Sequence, residues 1–502
     1  MKIKKVFLLF PPCPIPKIFP KRVQMPLGIA YLASSIRAAG IDVKVLDSLI
    51  EGWNQVEEID ERNIRFGLSN RQIVDRISEY GPDLVGISCM FSIQAKIVSE
   101  IASEIKNKFP DIKIVLGGAH PSAMPEDSIA DTNIDYVLIG EAEAAFVELI
   151  RALNRNKTVA EMDGICYRNE EGLLHVNPKK KYIGDLDALP LPAWELLPVE
   201  KYFKLNRPHG TVTRKNRIIP IITSRGCPAK CVFCSIHPIW GRVYRARSPI
   251  SVVGEIETLV NRYAIQEIQI EDDNMTFDRK RAEEICDLIV DKGIKVSFTA
   301  PNGLAVWALD KNLLLKLRKA GFYRLTLAVE SGSQNTLTHI IHKPLKIDKV
   351  LEIIKDANEI GFDIDVFFVV GFPGETPSEM QKTFDLGKKL DVSSVKYFIA
   401  TPYPGTELLE IAGKENLLPA DFDPKDLGIN AVKGNITTEY FTPEMLEKKV
   451  SAETFKTQIA LFKRHPVRYV TGIFRNYLLK DSGATIAFLR QSLKNCLSKH
   501  KI

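Results

Sequence analysis

Cys227, Cys231 and Cys234 stand with three and then two residues between them, in the run Ser224-Arg225-Gly226-Cys227-Pro228-Ala229-Lys230-Cys231-Val232-Phe233-Cys234. They follow directly on the apolar run Ile218 to Thr223, which reads as a β-strand, so one strand delivers three thiolates into one loop. Soft sulfur ligands select iron–sulfur clusters, zinc or copper(I). No obvious fourth cysteine stands nearby. A four-iron cluster held by three thiolates leaves one iron open to an outside ligand, whereas structural zinc takes four protein ligands. A chance grouping, or a zinc site completed by His237 or Cys286, are the alternatives.

The loop resembles the CxxxCxxC signature of the radical S-adenosylmethionine (SAM) enzymes, and Phe233 matches the aromatic residue usual before the last cysteine. The resemblance implies a 4Fe–4S cluster on Cys227, Cys231 and Cys234. Its open iron would bind the amino and carboxylate groups of SAM.

The rest of the chain must position this loop. With 502 residues, two or three domains are expected, and 45% hydrophobic with 26% charged residues is the composition of a soluble globular protein. No uninterrupted apolar run is long enough to span a bilayer, and the short apolar stretch Val6–Phe10 reads as a first strand rather than a signal peptide. Eight cysteines, of which only three cluster, fit a reducing cytosol rather than a disulfide framework. The net charge of +6 is uneven: from Met445 to Ile502 twelve Lys/Arg stand against three Asp/Glu, so the basic excess belongs to the tail.

Residues 1–150 alternate apolar runs with helical patterns. Strands are expected at Lys5–Phe10, Val43–Leu46, Leu84–Met90, Ile112–Leu116 and Tyr136–Ile139, with helices at Leu27–Ala39, Ile93–Lys108 and Ala142–Leu153. This is a doubly wound α/β pattern, whose ligands sit beyond the carboxyl ends of the strands. There stand Ser88-Cys89-Met90, Gly117-Gly118 and Gly140-Glu141; ordinary β–α turns are the bland alternative. The arrangement resembles the flavodoxin-like cobalamin-binding domains, with Ser88 and Met90, then Gly117-Gly118, near the family positions. Ser88, Gly117, Gly118, Gly140 and Glu141 are the residues the resemblance implies for cobalamin. The chain departs from that pattern at Pro11-Pro12-Cys13-Pro14-Ile15-Pro16, which offers no histidine to cobalt.

Residues 151–216 read as a linker, with a short strand at Gly164–Arg168 and the proline-stiffened run Asp187 to Trp194. From 217 to 410 six β–α units follow, as in the partial (β/α)₆ barrel of the radical SAM enzymes. Barrel chemistry sits at the carboxyl ends of the strands. For SAM, the resemblance implies Phe233, Glu271, Asp272, Asn302, Glu330, Ser331, Gly371 and Gly374. The acidic cluster after the second strand could equally be a solvated helix start, and Asn302 a turn residue. The stretch Trp240 to Pro249, rich in Arg and Tyr, reads either as cations balancing the cluster and nearby carboxylates or as surface.

Residues 411–502 read as a helical, basic C-terminal region. A solvated basic face, a lid over the barrel and peripheral membrane contact are the readings of its mixed aromatic and basic residues, and no nucleic acid is expected. The whole resemblance implies a cytoplasmic enzyme, membrane-associated if the tail binds lipid. Three cofactors follow from it: the 4Fe–4S cluster, SAM and cobalamin. An electron from a donor such as flavodoxin or ferredoxin would cleave SAM to a 5′-deoxyadenosyl radical. The radical would activate a carbon of a small-molecule or lipid-like substrate, and methylcobalamin would methylate it. Oxidative cyclisation or carbon-skeleton change with the same cofactors is the nearest rival, and a non-catalytic cobalamin or redox sensor the next.

Overall fold

The computed structural model describes residues 2–467, apart from 18, 62, 211, 429 and 430. The N-terminal sheet contains β1 (Lys5–Phe10), β2 (Asp42–Asp47), β3 (Leu84–Ser88), β4 (Lys113–Gly117) and β5 (Tyr136–Leu138), all parallel, followed by the antiparallel pair β6 (Ile165–Arg168) and β7 (Leu174–Asn177). In space the order is β7-β6-β5-β4-β3-β1-β2. The five parallel strands thus run in the flavodoxin-like order, with the direction of winding reversing between β1 and β3. Helices α1 (Leu27–Ala38), α2 (Asn70–Tyr80), α3 (Ala95–Lys108) and α4 (Glu143–Asn154) cover the faces. Helix α2, unforeseen from the sequence, begins in a capping box between Ser69 and Gln72.

Two local features were hidden in the sequence. The Pro-rich loop after β1 forms a strand, Cys13–Pro16, paired antiparallel with Asn63–Phe66. The stretch read as a linker contributes the β6–β7 hairpin to the sheet edge, so only the chain after Asn177 runs between the two sheets.

The second half forms six strands in two parallel triplets: β8 (Ile218–Ile221), β9 (Glu267–Ile270) and β10 (Ser297–Thr299), then β11 (Arg324–Glu330), β12 (Asp363–Val370) and β13 (Ser394–Ile399). Isolated bridges Phe298–Phe322 and Leu304–Leu327 join the triplets. Helices α5 (Pro249–Tyr263), α6 (Arg279–Asp291), α7 (Lys311–Ala320), α8 (Ile347–Ile360) and α9 (Pro377–Lys389) lie between successive strands. This is the expected six-unit partial barrel.

One apolar core crosses from the N-terminal sheet to the barrel. It includes Val23, Met25 and Phe66 on one side, Ile219 and Ile270 on the other, and Trp194, Tyr202 and Phe203 between them. Helix α10 (Pro443–Arg464) docks on the outer wall of the barrel against β13 and α9. Its Glu453 is buried and meets Lys388 at 3.1 Å and Lys456 at 2.7 Å, while Thr457 Oγ1 lies 3.1 Å from Tyr397 Oη. This part of the tail is therefore packed structure rather than a fully solvated basic face. The aromatic and basic run from Tyr469 onward lies outside the described residues.

Candidate active site

The cysteine loop leaves β8 at the carboxyl end of the barrel, as the sequence implies, and its backbone is tied from several directions. Val232 N–H donates to Ile341 O (3.1 Å), Leu408 N–H donates to Val232 O (2.9 Å), and Cys234 N–H donates to Cys231 O (3.1 Å). Gly226 has φ +81, and a Cβ there would fall 2.4 Å from Val243 O, so the tight entry into the loop requires glycine. All three cysteines are free and partly exposed. Burial pushes the Cys231 thiol up to about 11 and the Cys234 thiol to about 12, and the neighbouring thiols add to the effect. Thiolates here thus need a cation to hold them, which a metal cluster provides.

The zinc alternative takes its fourth ligand from Cys286 or His237. Cys286 is buried within α6 and packs in the barrel core. His237 Nε2 lies 3.2 Å from an Arg242 nitrogen.

Around the loop lies a group of buried acceptor atoms without hydrogen-bond donors: Glu271 Oε1, Asp273 Oδ2, Asn274 Oδ1 and Glu375 Oε1. Buried polar atoms left unmatched are rare and mark positions a ligand completes. Acceptors in this number suit a ligand rich in donors, such as an ammonium and ribose hydroxyls. Asn274 Nδ2 also approaches Cys227 Sγ at 3.7 Å.

The residues expected at SAM separate into two groups. Glu271 faces His209 Nδ1 at 3.0 Å and is held by Asn302, whose Nδ2 donates to Glu271 O (2.9 Å). Phe233 packs on Phe372 with ring centroids 5.8 Å apart, and Gly374, with φ +77, has open space where a Cβ would stand. Glu330, with φ +69, is buried and accepts from Lys343 Nζ at 2.9 Å.

The other three side chains or cradles turn away. Asp272 accepts from Thr223 N (2.6 Å), Thr223 Oγ1 (2.5 Å) and Ser224 Oγ (2.6 Å), and is buried beneath the loop it anchors, not aimed at a cofactor. Ser331 is buried beside Thr383 Oγ1 at 3.1 Å. Gly371, with φ +89, has its Cβ direction filled by Leu446 of α10, 2.2 Å away.

The cobalamin expectations divide in the same way. Ser88 ends β3 half-buried, and Gly117 ends β4 with only Leu138 O within reach of a Cβ, at 4.0 Å. Gly118, with φ +112, lies where a Cβ would meet Cys89 O at 2.6 Å. Met90 and Phe91 stand exposed beside them, 40% and 39% accessible, which gives this strand-end crevice an apolar rim suited to a flat macrocycle. Gly140 instead faces protein: a Cβ would meet Lys179 Cγ at 3.1 Å and Ile239 O at 3.2 Å.

Glu141 is the clearest correction. Its carboxylate is wholly buried between two barrel cations, with Arg225 at 2.8 Å and Arg245 at 2.7 Å. Arg225 also reaches Glu143 at 2.6 Å, and Arg245 donates to Ile183 O (2.7 Å) and Trp240 O (2.9 Å). A carboxylate in that position is taken up by the guanidinium groups and has nothing left for a cofactor. The Arg/Tyr stretch accordingly has a buried inner side, since Arg247 is buried on Glu255 while Arg242 stays exposed.

Sequence reasoning gave no role to Arg225 or Lys343, and marked Glu143 only as part of the strand-end run Gly140-Glu141-Ala142-Glu143. Arg225 stands inside the cysteine run, and its position was the available signal. Nothing local gives away the partner of Glu143, which is 82 residues distant, or marks Lys343 at all.

Two family models match the chain: the B12 binding domain over residues 21–150, and the radical SAM superfamily over residues 221–387. The cytidylyl-2-hydroxyethylphosphonate methyltransferase of Streptomyces wedmorensis is 34% identical over 436 residues, covering 81% of each chain. The anaerobic magnesium-protoporphyrin IX monomethyl ester cyclase of Rubrivivax gelatinosus is 27% identical over 430 residues, covering 84% of this chain and 71% of its own. The radical SAM methyltransferase TsrM of Kitasatospora setae, solved with tryptophan and a SAM analogue, has the same fold. Its TM-score is 0.67 at 18% identity, with 90% of this chain and 89% of TsrM covered. The chain belongs to the cobalamin-dependent radical SAM enzymes. It is an enzyme whose cofactors are a 4Fe–4S cluster, SAM and cobalamin, with methyltransferases among its relatives.

Proposed function

We propose that this enzyme methylates an unactivated carbon of a small-molecule substrate held in the barrel mouth, between the cysteine loop and the crevice at Ser88 and Gly117. The single observation that carries this arrangement is the ion-pair cluster of Arg225 and Arg245 with Glu141 and Glu143. Arg225 stands two residues before Cys227, and the two glutamates follow the last parallel strand of the first domain. The cluster therefore fixes the cysteine loop against the strand ends that face cobalamin.

When bound, the iron–sulfur cluster supplies an electron for SAM cleavage and cobalamin a transferable methyl group. Cys227, Cys231 and Cys234 would hold the cluster. Asp272 shapes the loop from below through Thr223 and Ser224. Glu271, Asp273 and Asn274 offer acceptors to SAM, while Lys343 brings a buried cation, paired with Glu330, beside Cys231. Met90 and Phe91 keep water from one side of the cobalamin crevice. A flavodoxin or ferredoxin would supply electrons, and a lipid-like substrate fits the same chemistry if the residues beyond 467 contact a membrane. No described helix is long and apolar enough to cross one.

The likeness to the ester cyclase favours a second reading, oxidative ring formation with the same cofactors. Anaerobic reconstitution with iron, sulfide and hydroxocobalamin separates the two. Methyl transfer requires both 5′-deoxyadenosine and S-adenosylhomocysteine to form during turnover. Formation of 5′-deoxyadenosine alone, with cobalamin retained, would sink the methylation reading and leave cyclisation.

A further inference from the structure

The wall of the barrel is uneven in its burial. Along β13, Ser394, Lys396 and Phe398 are half-buried while Val395, Tyr397 and Ile399 between them are buried. The same contrast separates Asp363 and Phe367 from their neighbours in β12, and Arg324 and Ala328 from theirs in β11. Strand residues alternate between faces; the helix-facing set packs solid, while the inward set keeps accessible surface at these positions and is buried at Thr326, Glu330, Asp365 and Val369. The interior at the level of Ala328, Phe367 and Lys396 thus keeps accessible surface, unlike the side-chain-filled interior of a complete barrel.

Ala328, Phe367 and Lys396 form one register row across that inward face. The Lys396 ammonium lies 5.3 Å from the centroid of the Phe367 ring, and no described residue accepts a hydrogen bond from it. Burial lowers its pKa; Asp365 opposes that shift, and Arg22 and Arg324 add to it.

The other charges of the lumen are matched. Asp365 pairs with Arg324 at 2.6 Å, and Glu330 with Lys343 at 2.9 Å. Glu267 accepts from Arg214 N (2.8 Å), Lys215 N (3.0 Å) and Tyr323 Oη (2.7 Å). Glu271 has His209 and Asn302. Lys396 alone among these faces the cavity without a bonded counter-charge.

Two further polar atoms share the lumen. Gln269 and Thr299 are register partners on β9 and β10, both more than nine-tenths buried, and Gln269 Oε1 and Thr299 Oγ1 have no hydrogen-bond partner. Each orphaned buried polar atom is costly, and the half-buried Lys396 ammonium has no bonded counter-charge beside it. Gln269 and Thr299 stand on the first strand triplet and Lys396 on the second, so a ligand that satisfies them together would span the barrel interior between the two.

We propose that Lys396 receives an oxyanion of the substrate, a phosphoryl or carboxylate group, inside the lumen, with Gln269 and Thr299 recognising polar groups of the same molecule. This specifies the substrate class for the methyl-transfer reading above and rests on it. Phe367 and Ala328 provide apolar surface beside the anion, so the substrate is amphiphilic: an oxyanion at one end and a carbon to be methylated toward the cysteine loop.

The test is calorimetric titration of the cluster- and cobalamin-loaded, SAM-bound enzyme with methylphosphonate and, separately, acetate. Wild type binds at least one of them saturably. Lys396→Met weakens that binding by about tenfold or more, while Lys396→Arg, which keeps the charge, retains it. Binding of methylphosphonate alone assigns a phosphoryl group, and of acetate alone a carboxylate. Iron content and the cobalamin spectrum of Lys396→Met report that it is folded. Equal binding by Lys396→Met and wild type, or no binding of either anion by wild type, overturns the proposal. Release of 5′-deoxyadenosine by wild type in the same preparation tests the radical reading by itself, so the two failures are distinguishable.

Discussion

Arg225 Nη1 lies 2.8 Å from Glu141 Oε1, and these two residues, 84 apart in sequence, join the strand that carries the cysteines to the end of the cobalamin sheet. Both are buried, and Glu143 completes the pair at 2.6 Å from the other guanidinium nitrogen. Arg225 also lies 4.7 Å from the centre of the Trp240 ring. The two cofactor domains therefore meet through a charged joint as well as through the shared apolar core.

Removing that guanidinium leaves the buried Glu143 carboxylate without its cation and Glu141 with Arg245 alone. Arg225→Met is expected to destabilise the protein by roughly 3–5 kcal/mol, the range for breaking a buried ion pair from one side. Arg225→Lys keeps the charge but cannot reach both glutamates in fork geometry, so its loss is smaller. Urea denaturation of the two variants beside wild type measures the order. Equal stability of Arg225→Met and wild type would show that the joint contributes nothing.

Asp272→Ala strips three hydrogen bonds from the base of the cysteine loop and leaves the Thr223 N–H buried without an acceptor. About 1–3 kcal/mol is the cost of one such group. The variant is expected to retain less iron after desalting than wild type, with a weakened cluster signal in electron paramagnetic resonance. Unchanged iron content would mean that the loop holds its shape without this anchor.

The thiols themselves give the most direct reading. Replacing Cys227, Cys231 or Cys234 by Ala, one at a time, is expected to abolish stable iron loading and SAM cleavage, whereas Cys286→Ala, within α6, leaves iron loading intact. Iron analysis of the four reconstituted variants checks this.

Glu375 predicts a pH effect. Its Oε2 accepts from Gly371 N (2.7 Å) and Phe372 N (3.3 Å), yet burial dominates and raises its pKa from 4.5 to about 8. The folded state therefore binds this proton more tightly than the unfolded state. Its contribution to stability is full below pH 4.5, falls as pH rises toward about 8, and levels off above. The stability of Glu375→Gln relative to wild type is expected to rise across that window. Urea denaturation at pH 5, 7 and 9 tests this, and a difference independent of pH would contradict it.

Much of the architecture was legible because its signals are local. The strand and helix runs repeat with the periods of their elements, and the six β–α units expected between 217 and 410 correspond to the six observed barrel strands. The hairpin at 165–177 and the strand at Cys13–Pro16 were harder to see, because short edge strands take their identity from a partner elsewhere in the chain.

The sequence by itself determined the chemistry: three thiolates at a fixed spacing after a strand, glycines at strand ends, and two successive α/β patterns. These are properties of residues close together in the chain. Only the tertiary structure decided what the carboxylates do. Glu141 and Asp272 stand at strand ends just as Glu271 does, yet Glu141 closes a domain joint, Asp272 props a loop, and Glu271 keeps an acceptor free. The difference is which cation or N–H the folded chain brings within about 3 Å, and electrostatics at that range depends on position in space rather than in sequence. The same holds for Lys396, an ordinary lysine in a strand until the barrel forms around it and gives it no bonded counter-charge among the described residues.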